Sequence, residues 1–259
     1  MQNLKGIATA FLCRVRDTDK FTIVLVILGA LSACLVLLRG VTHGIGMSWD
    51  SMHYIAGANK LLEGIFFFAY PAIFPPLLSI LLASASFYIF DPRDVAGIVN
   101  AAAFGLTVFV AGLWLRDRIK SRFLIIWGCL ALTFSIPLTS AASMASSEPV
   151  FVLLSTLALI KIDKFLTTNQ QSQLVWAALF TALACMTRYA GITLIMTTVL
   201  LLGFQRDVRL YESAKRIITY LLISFAPIGL WLLRNFLITG TLTGNRSPSI
   251  AVFRRPWDK

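Results

Sequence analysis

Four charged residues stand at the edges of long apolar runs, and their side chains could do chemistry: Asp50, Glu148, Arg188 and Arg234. Carboxylates of this kind serve in proton transfer, and a planar guanidinium can bind a carboxylate or a phosphate through parallel hydrogen bonds. Asp50 lies in the stretch "MSWDSMHYIAGANKLLEG", residues 47–64, where His53 and Tyr54 follow it closely. These residues are the candidates for a site.

Each of the four also has an explanation without chemistry. Asp50 could be the N-cap of a short helix, a role that is worth about 1 kcal/mol. Glu148 stands before a proline where a helix is expected to start, so it could serve in capping. Arg188 could extend its aliphatic side chain so that the guanidinium reaches the lipid headgroups. Arg234 could be an interfacial anchor beside Trp231.

The composition is that of an integral membrane protein. Of the 259 residues, 58% are hydrophobic and only 14% are charged, far from the mix of an ordinary soluble domain. The net charge is +11, but the 23 Lys and Arg residues form short clusters between apolar runs, which is typical of membrane orientation signals and headgroup contacts. We therefore expect no nucleic-acid partner. The four cysteines show no spacing suited to zinc or to a disulfide framework.

The apolar runs predict an all-α, polytopic chain, because a bilayer span must satisfy its own backbone groups. The first run, "FTIVLVILGALSACLVLL", would rise about 27 Å as a helix, so we interpret it as an uncleaved span, although "LSAC" resembles a lipoprotein cleavage box. Further runs predict helices over residues 75–90, 94–115, 122–138, 149–162, 173–187, 189–204 and 217–233. No internal repeat or linker divides the chain, so we expect a single membrane domain over residues 1–259.

Charge decides which of these runs cross the membrane. If residues 75–90 crossed, the basic loop "RDRIKSR" would lie opposite the basic N-terminus, against the positive-inside rule. Three prolines, Pro71, Pro75 and Pro76, also interrupt the chain just before that run. We therefore expect about seven transmembrane helices, with residues 75–90 re-entrant or interfacial. The predicted parts are a cytoplasmic tail (1–20), a long outer loop (39–93) and an outer tail (235–259).

A short helix is predicted within the outer loop. Apolar residues follow a helical spacing between Ser51 and Glu63, and Gly64 supplies a stop. Thirteen residues cannot cross a bilayer, so this helix should lie in the outer interface with Asp50 at its start.

Five stretches in this order resemble the polytopic glycosyltransferases of the C superfamily, in particular protein O-mannosyltransferases and lipid A aminoarabinose transferases. They are "SWDSMHYIAGANKLLEG", "YPAIFPPLLSILLA", "SSEPVFVLLSTLALI", "LACMTRYAGITLI" and "PIGLWLLRNFLITG". The resemblance covers roughly residues 20 to 245. It implies a catalytic acid on a juxtamembrane helix of the first outer loop.

By this resemblance, Asp50 matches the first-loop acid and Glu148 an acid of the second outer loop. The resemblance implies a polyprenyl-phosphate sugar donor in the outer leaflet and an acceptor glycan, lipid or protein. Asp50 would be the general base on the acceptor hydroxyl or amine, and the anomeric carbon would invert. Arg188 and Arg234 are the expected phosphate ligands, and Arg234 is the better placed of the two. Possible substrate contacts are His53, Tyr54 and Asn235.

Glu148 could instead orient the acceptor, or share a divalent cation with Asp50, although two carboxylates provide few of the ligands that such a cation needs. The positive-inside rule predicts a cytoplasmic N-terminus. The resemblance implies an enzyme of the cell (plasma or inner) membrane with an outer active site.

The chain departs from its relatives at Ser51 and at "IFPP", where several relatives have further charged residues. It is also short for the family. Two explanations stay open: the chain is truncated, or a protein partner completes the fold. A non-catalytic accessory subunit and a small lipid or solute transporter are the alternative functions. The transporter alternative predicts two related halves, and the sequence has no such symmetry.

Overall fold

The computed structural model describes residues 2–66, 73–87, 89–205 and 209–244, and for residues 2–19 it describes the backbone alone. The described residues are arranged as follows: α1 (Gln2–His43), α2 (Trp49–Leu62), α3 (Leu77–Ser86), α4 (Pro92–Arg118), α5 (Arg122–Thr133), α6 (Ile136–Ala142), α7 (Glu148–Thr168), α8 (Gln171–Thr187), a 3-10 turn (Tyr189–Gly191), α9 (Ile192–Gly203) and α10 (Leu210–Thr239). The predicted all-helical fold is confirmed, since these ranges contain no β-strand. Pro71, Arg206 and the end of the predicted outer tail lie outside them.

Buried apolar side chains form three groups along the bundle. One lies between α1, α4 and α5, a second under α2 and α3, and a third among α7, α8, α9 and α10. Many large apolar side chains face outward instead, among them Ile27, Leu38, Ile98 and Leu230. An outward apolar surface of this extent suits a protein surrounded by lipid.

Helices α1 and α4 cross through two glycines. A Cβ on Gly105 would lie 2.6 Å from the Gly29 carbonyl oxygen, and a Cβ on Gly29 would lie 2.8 Å from the Gly105 carbonyl oxygen. Small residues at a helix crossing allow two backbones to touch, which is the common packing solution in membranes. The crossing fixes α1 against the helix that follows the outer loop.

The run predicted as one helix over residues 122–138 is two helices. α5 and α6 meet at 53°, and Pro137 lies in the first turn of α6. Proline has no N–H, and its ring excludes the carbonyl four residues earlier, so a straight helix cannot pass this position. Near the bend, the hydroxyls of Thr133 and Ser32 are 2.8 Å apart and tie α5 to α1.

Helix α3 has ten residues and rises about 15 Å, half the thickness of a hydrocarbon core. It packs against α2 and α4, and its Ser79 hydroxyl donates to the Tyr54 carbonyl oxygen over 3.0 Å. α3 by itself is therefore too short to cross a bilayer, and the exclusion of residues 75–90 from the spans stays a prediction.

The bundle has two distinct ends. At the first, which we call the site end, the loop before α2 pairs with the loop before α7: the Gly46 N–H donates to the Ser143 carbonyl oxygen over 3.0 Å, and the Ala145 N–H donates to the Gly46 carbonyl oxygen over 2.9 Å. At the other, the basic end, Arg116 donates to the Thr22 hydroxyl over 2.8 Å, and Arg118 forms an ion pair with Asp163.

The predicted seven spans would correspond to α1, α4, the α5–α6 pair, α7, α8, α9 and α10. Within the described residues, α1, α4 and α10 are long and apolar enough to cross a membrane, and the bent α5–α6 pair adds a fourth candidate. The protein is therefore an integral membrane protein, and the count of seven spans stays a prediction. Asn235, the predicted start of the outer tail, lies inside α10.

Candidate active site

Helix α2 starts with a capping box made by Ser48 and Ser51. The Ser51 N–H donates to Ser48 Oγ over 3.2 Å, and the Ser48 N–H donates to Ser51 Oγ over 3.0 Å. The N-cap interpretation of Asp50 is therefore wrong, because Ser48 takes that role. Among the described residues, the half-buried Asp50 carboxylate has no hydrogen-bond or ion-pair partner. Its place in the first turn suits a negative charge, since a helix N-terminus carries partial positive charge.

Tyr54 follows Asp50 by one helical turn and points into the protein. Its side chain is buried, and its hydroxyl lies 3.0 Å from Ser147 Oγ. Burial raises the pKa of Tyr54 to about 12, and the hydrogen bond with Ser147 opposes that shift. The phenol therefore stays neutral. The structure places Tyr54 beneath the site as a support, rather than on its surface as the predicted substrate contact.

Glu148 and Arg188 form an ion pair at the start of α7. Arg188 Nη1 lies 2.6 Å from Glu148 Oε1, and the same nitrogen donates to Ser147 Oγ over 3.0 Å. The Ser147 hydroxyl makes no capping bond to α7 because it serves this cluster instead. Arg188 therefore has the anionic partner that a cation near membrane depth requires. The Glu148 Oε2 atom is buried and has no hydrogen-bond partner among the described residues.

The backbone around Arg188 turns sharply between two helices. Arg188 is extended, with φ −147° and ψ 140°, and the 3-10 turn that follows doubles back on α8. A Cβ on Gly191 would lie 2.6 Å from the Cys185 backbone nitrogen. Only glycine permits this approach, so Gly191 holds the turn that presents Arg188 to Glu148.

Arg234 is not at the outer surface, where it was predicted to lie. Its side chain is buried at 4% exposure, its guanidinium carbon lies 4.8 Å from the centre of the Trp231 ring, and its Nη1 donates to Asn235 Oδ1 over 2.6 Å. Asn235 is also fully buried, so its side chain is not accessible for the predicted contact with substrate. The reason is that α10 continues to Thr239 and turns this face into the bundle.

Tyr189 joins the Arg234 group to the Arg188 turn. Its hydroxyl accepts from Trp231 Nε1 over 3.1 Å and from Asn235 Nδ2 over 3.3 Å, and it donates to the Ile73 carbonyl oxygen over 3.2 Å. Tyr189 therefore links α10, the turn after α8 and the segment before α3.

The site end thus collects all four charged candidates. Tyr54, one turn after Asp50, contacts Ser147 beside the ion pair of Glu148 and Arg188. Arg234 contacts Asn235, which donates to Tyr189. No ion pair joins Asp50 to an arginine within the part of the chain that the structure describes. The remaining predicted contact, His53, is exposed beside Trp49.

Sequence reasoning did not single out Ser147, Tyr189 or Phe74. Ser147 had a weak signal, since it stands directly before Glu148 and Pro149 at a helix start. Tyr189 had none, because its partners Asn235 and Ile73 are 46 and 116 residues away. Phe74 had none either, because its aromatic partners lie on another helix, α2.

A metal site remains a hypothesis. The described residues contain no group of three His, Cys, Asp or Glu side chains placed to hold a metal ion. Asp50 and Glu148 are the two carboxylates that were predicted to share a cation, and two carboxylates usually bind Mg²⁺ only together with substrate phosphates and water.

The chain was compared with known proteins. No protein-family model matches it, and no curated protein sequence matches it. Its fold is similar to a solved structure of the Saccharomyces cerevisiae protein O-mannosyltransferase Pmt1–Pmt2 complex bound to the sugar donor, with a TM-score of 0.57 and 14% sequence identity. The alignment covers 83% of this chain, and this chain spans about a third (34%) of the length of that one.

At this identity the likeness concerns the fold alone. It supports a membrane architecture like that of the C-superfamily glycosyltransferases, which is the architecture that the five sequence stretches had suggested.

Proposed function

We propose that this protein is a membrane glycosyltransferase that moves a sugar from a polyprenyl-phosphate donor to a hydroxyl or amine acceptor, with inversion at the anomeric carbon. The observation that carries the proposal is the placement of Asp50. Its carboxylate has no partner among the described residues, and one turn later Tyr54 reaches the cluster of Ser147, Glu148 and Arg188. The similarity in fold to an O-mannosyltransferase supports this proposal.

In the proposed reaction Asp50 removes the proton from the acceptor hydroxyl as the acceptor oxygen attacks the anomeric carbon. The bond between that carbon and the phosphate oxygen breaks, and the polyprenyl phosphate leaves with the bonding electrons. Asp50 then releases its proton to water. A general base of this kind contributes roughly 10² to 10⁴ in rate.

Arg188 is the better candidate for binding the leaving phosphate. Its side chain is 30% exposed, whereas Arg234 is 4% exposed and covered by Trp231. The departing phosphate gains negative charge in the transition state, so a guanidinium held in place beforehand stabilises that state most. Glu148 holds one nitrogen of Arg188 and leaves the other donors of its planar group available.

The proposed placement is a cell membrane with the N-terminus in the cytoplasm and the site end outside. The basic end would then face the cytoplasm, in agreement with the positive-inside rule. The Saccharomyces complex contains two different chains, so a protein partner is included in the proposal.

Replacement of Asp50 by asparagine tests the function. Asp50→Asn keeps the shape of the side chain and removes the base, so transfer should fall at least about 100-fold. The assay uses purified protein in lipid nanodiscs, a panel of radiolabelled polyprenyl-phosphate sugars and a mixed acceptor fraction from membranes. The matched control is Glu63→Gln at the other end of α2, an exposed acid that should not affect transfer.

Equal turnover by wild type and Asp50→Asn would remove the catalytic role of this carboxylate. The accessory-subunit alternative would then gain support if transfer required a second chain.

A further inference from the structure

An exposed aromatic cluster borders Asp50. Trp49 and His53 contact each other edge to face with ring centres 4.3 Å apart, and Phe74 lies 5.7 Å from both rings. Trp49 keeps 59% of its surface exposed. Its ring orientation is therefore held by two neighbours, while much of the ring stays available for a further contact.

Helix geometry brings the Asp50 carboxylate to the edge of this cluster. His53 follows Asp50 by three residues, a spacing at which side chains are neighbours on a helix surface, and the His53 ring contacts Trp49. Phe74 in turn lies 5.3 Å from the Tyr54 ring, whose hydroxyl reaches Ser147. The cluster is thus continuous with the candidate active site.

Anchoring in the bilayer interface is the other common role of an exposed tryptophan. An interfacial helix needs an apolar face along its length. The outward face of α2 is apolar only in its first turn, at Trp49 and Met52, and then continues through Ala56 to the exposed, polar Asn59 and Glu63. The combination of an indole, an imidazole and a carboxylate within one turn suits a polyhydroxyl ring better than a lipid chain.

We infer that Trp49, His53 and Phe74 form the acceptor subsite, and that the acceptor is a saccharide ring. This inference rests on the proposed function, because it specifies the acceptor for the same site. The apolar C–H face of the sugar packs on the Trp49 indole, and one ring hydroxyl meets Asp50. The His53 imidazole forms a hydrogen bond with a neighbouring hydroxyl. A few polar groups beside an aromatic surface are the usual composition of a small-ligand site.

Binding without a donor tests the inference separately from catalysis. The probes are methyl glycosides of common hexoses and of N-acetylglucosamine, and an N-acetylated Ser/Thr peptide amide, each titrated into protein in nanodiscs by saturation-transfer NMR. Trp49→Ala should weaken glycoside binding about fivefold, since the lost stacking contact is worth about 1 kcal/mol, and Trp49→Phe should retain most of the affinity. The control is Trp176→Ala on α8, which removes a ring of similar exposure, 51%, that stacks on Phe180.

Asp50→Asn should still bind the glycoside, because the asparagine amide oxygen can accept the hydrogen bond from the ring hydroxyl although it cannot take its proton. If Asp50→Asn abolishes transfer but Trp49→Ala binds glycosides like wild type, the proposed function stands and the acceptor inference fails. If the peptide binds through Trp49 and the glycosides do not, the acceptor is a peptide and the inference is wrong.

Bilayer anchoring is tested with brominated phospholipids. The chain has five other tryptophans, so the Trp49 signal is the difference in fluorescence between wild type and Trp49→Phe. Quenching of that difference, together with unchanged glycoside affinity in Trp49→Ala, would make Trp49 a membrane anchor and overturn the inference. Protection of the same fluorescence by a glycoside supports it. If Trp49→Ala does not fold, Trp49→Leu replaces it in the same titration.

Discussion

At the scale of single residues, Ser147 shows how a side chain without catalytic chemistry can organise this site. Its hydroxyl lies 3.0 Å from the Tyr54 hydroxyl and accepts from Arg188 Nη1 over 3.0 Å. It therefore joins α2, the start of α7 and the end of α8 at one oxygen. A hydroxyl can do this because it has one donor and two acceptor positions.

The shifted pKa of Tyr54 leads to a prediction about stability. The ordinary pKa of 10.0 is raised to about 12 by burial, so the unfolded chain releases this proton at lower pH than the folded chain. The contribution is constant below pH 10 and is lost as the pH rises toward 12, on the order of 1 kcal/mol by pH 11. Tyr54→Phe should be less stable than wild type at pH 8, by about 1 kcal/mol for the lost hydrogen bond, and should lose less stability between pH 9 and pH 11.

Chemical unfolding in detergent at a series of pH values measures both effects. Parallel pH dependence in the two proteins would contradict the assignment of the shift to Tyr54.

At the scale of elements, the turn between α8 and α9 decides where Arg188 points. The extended Arg188 ends α8, and the 3-10 turn packs back against that helix at Gly191. Glu148 meets Arg188 because α7 and α8 are packed neighbours and both have an end here. The ion pair therefore depends on a backbone approach that excludes any side chain at position 191.

Gly191→Ala tests this dependence. The new Cβ would lie 2.6 Å from the Cys185 nitrogen and 2.7 Å from its Cα, and backbone atoms cannot move away at low cost. We expect a loss of roughly 1–3 kcal/mol in the free energy of unfolding, together with reduced sugar transfer because Arg188 is displaced from Glu148. Thermal unfolding and the transfer assay measure the two effects.

The matched variant is Gly203→Ala at the end of α9, where an added Cβ meets nothing within 4 Å. It should be as stable and as active as wild type. A Gly191→Ala protein indistinguishable from Gly203→Ala would show that the turn tolerates a side chain.

At the scale of the whole molecule, charge separates the two ends of the bundle. The site end contains two acids, Asp50 and Glu148, and two arginines, Arg188 and Arg234, so these four charges balance. The basic end gathers side chains from α4, α5 and α10: Arg116, Arg118, Arg122 and Arg216. This asymmetry agrees with the predicted orientation, since Lys and Arg residues are retained on the cytoplasmic side.

Cysteine labelling measures that orientation. In a background without native cysteines, Ser121→Cys at the basic end and Asn59→Cys on α2 both provide exposed thiols. An impermeant maleimide should label position 59 only from outside sealed cells and position 121 only from the cytoplasmic side of inverted vesicles. Labelling of both from one side would mean that the chain between them crosses the membrane an even number of times, and residues 75–90 would then have to be reassigned.

Local information in the sequence was sufficient for much of this protein. Apolar runs of bilayer length determine helices and a membrane location, because the hydrocarbon core allows few other backbone structures. The prolines before α3 and the glycine after α2 are equally local signals. The same reasoning identified Asp50, Glu148, Arg188 and Arg234, since a charge at the edge of an apolar run is costly unless it has a role.

The tertiary structure decided which of these residues meet. Tyr54 and Ser147 are 93 residues apart, and Arg188 and Ser147 are 41 apart, so their contacts depend on which helices become neighbours. The rotation of α10 buried Arg234 against Trp231, although the sequence allowed an exposed position equally well. Composition and periodicity describe one helix at a time, whereas a site is made by packing several of them at close range.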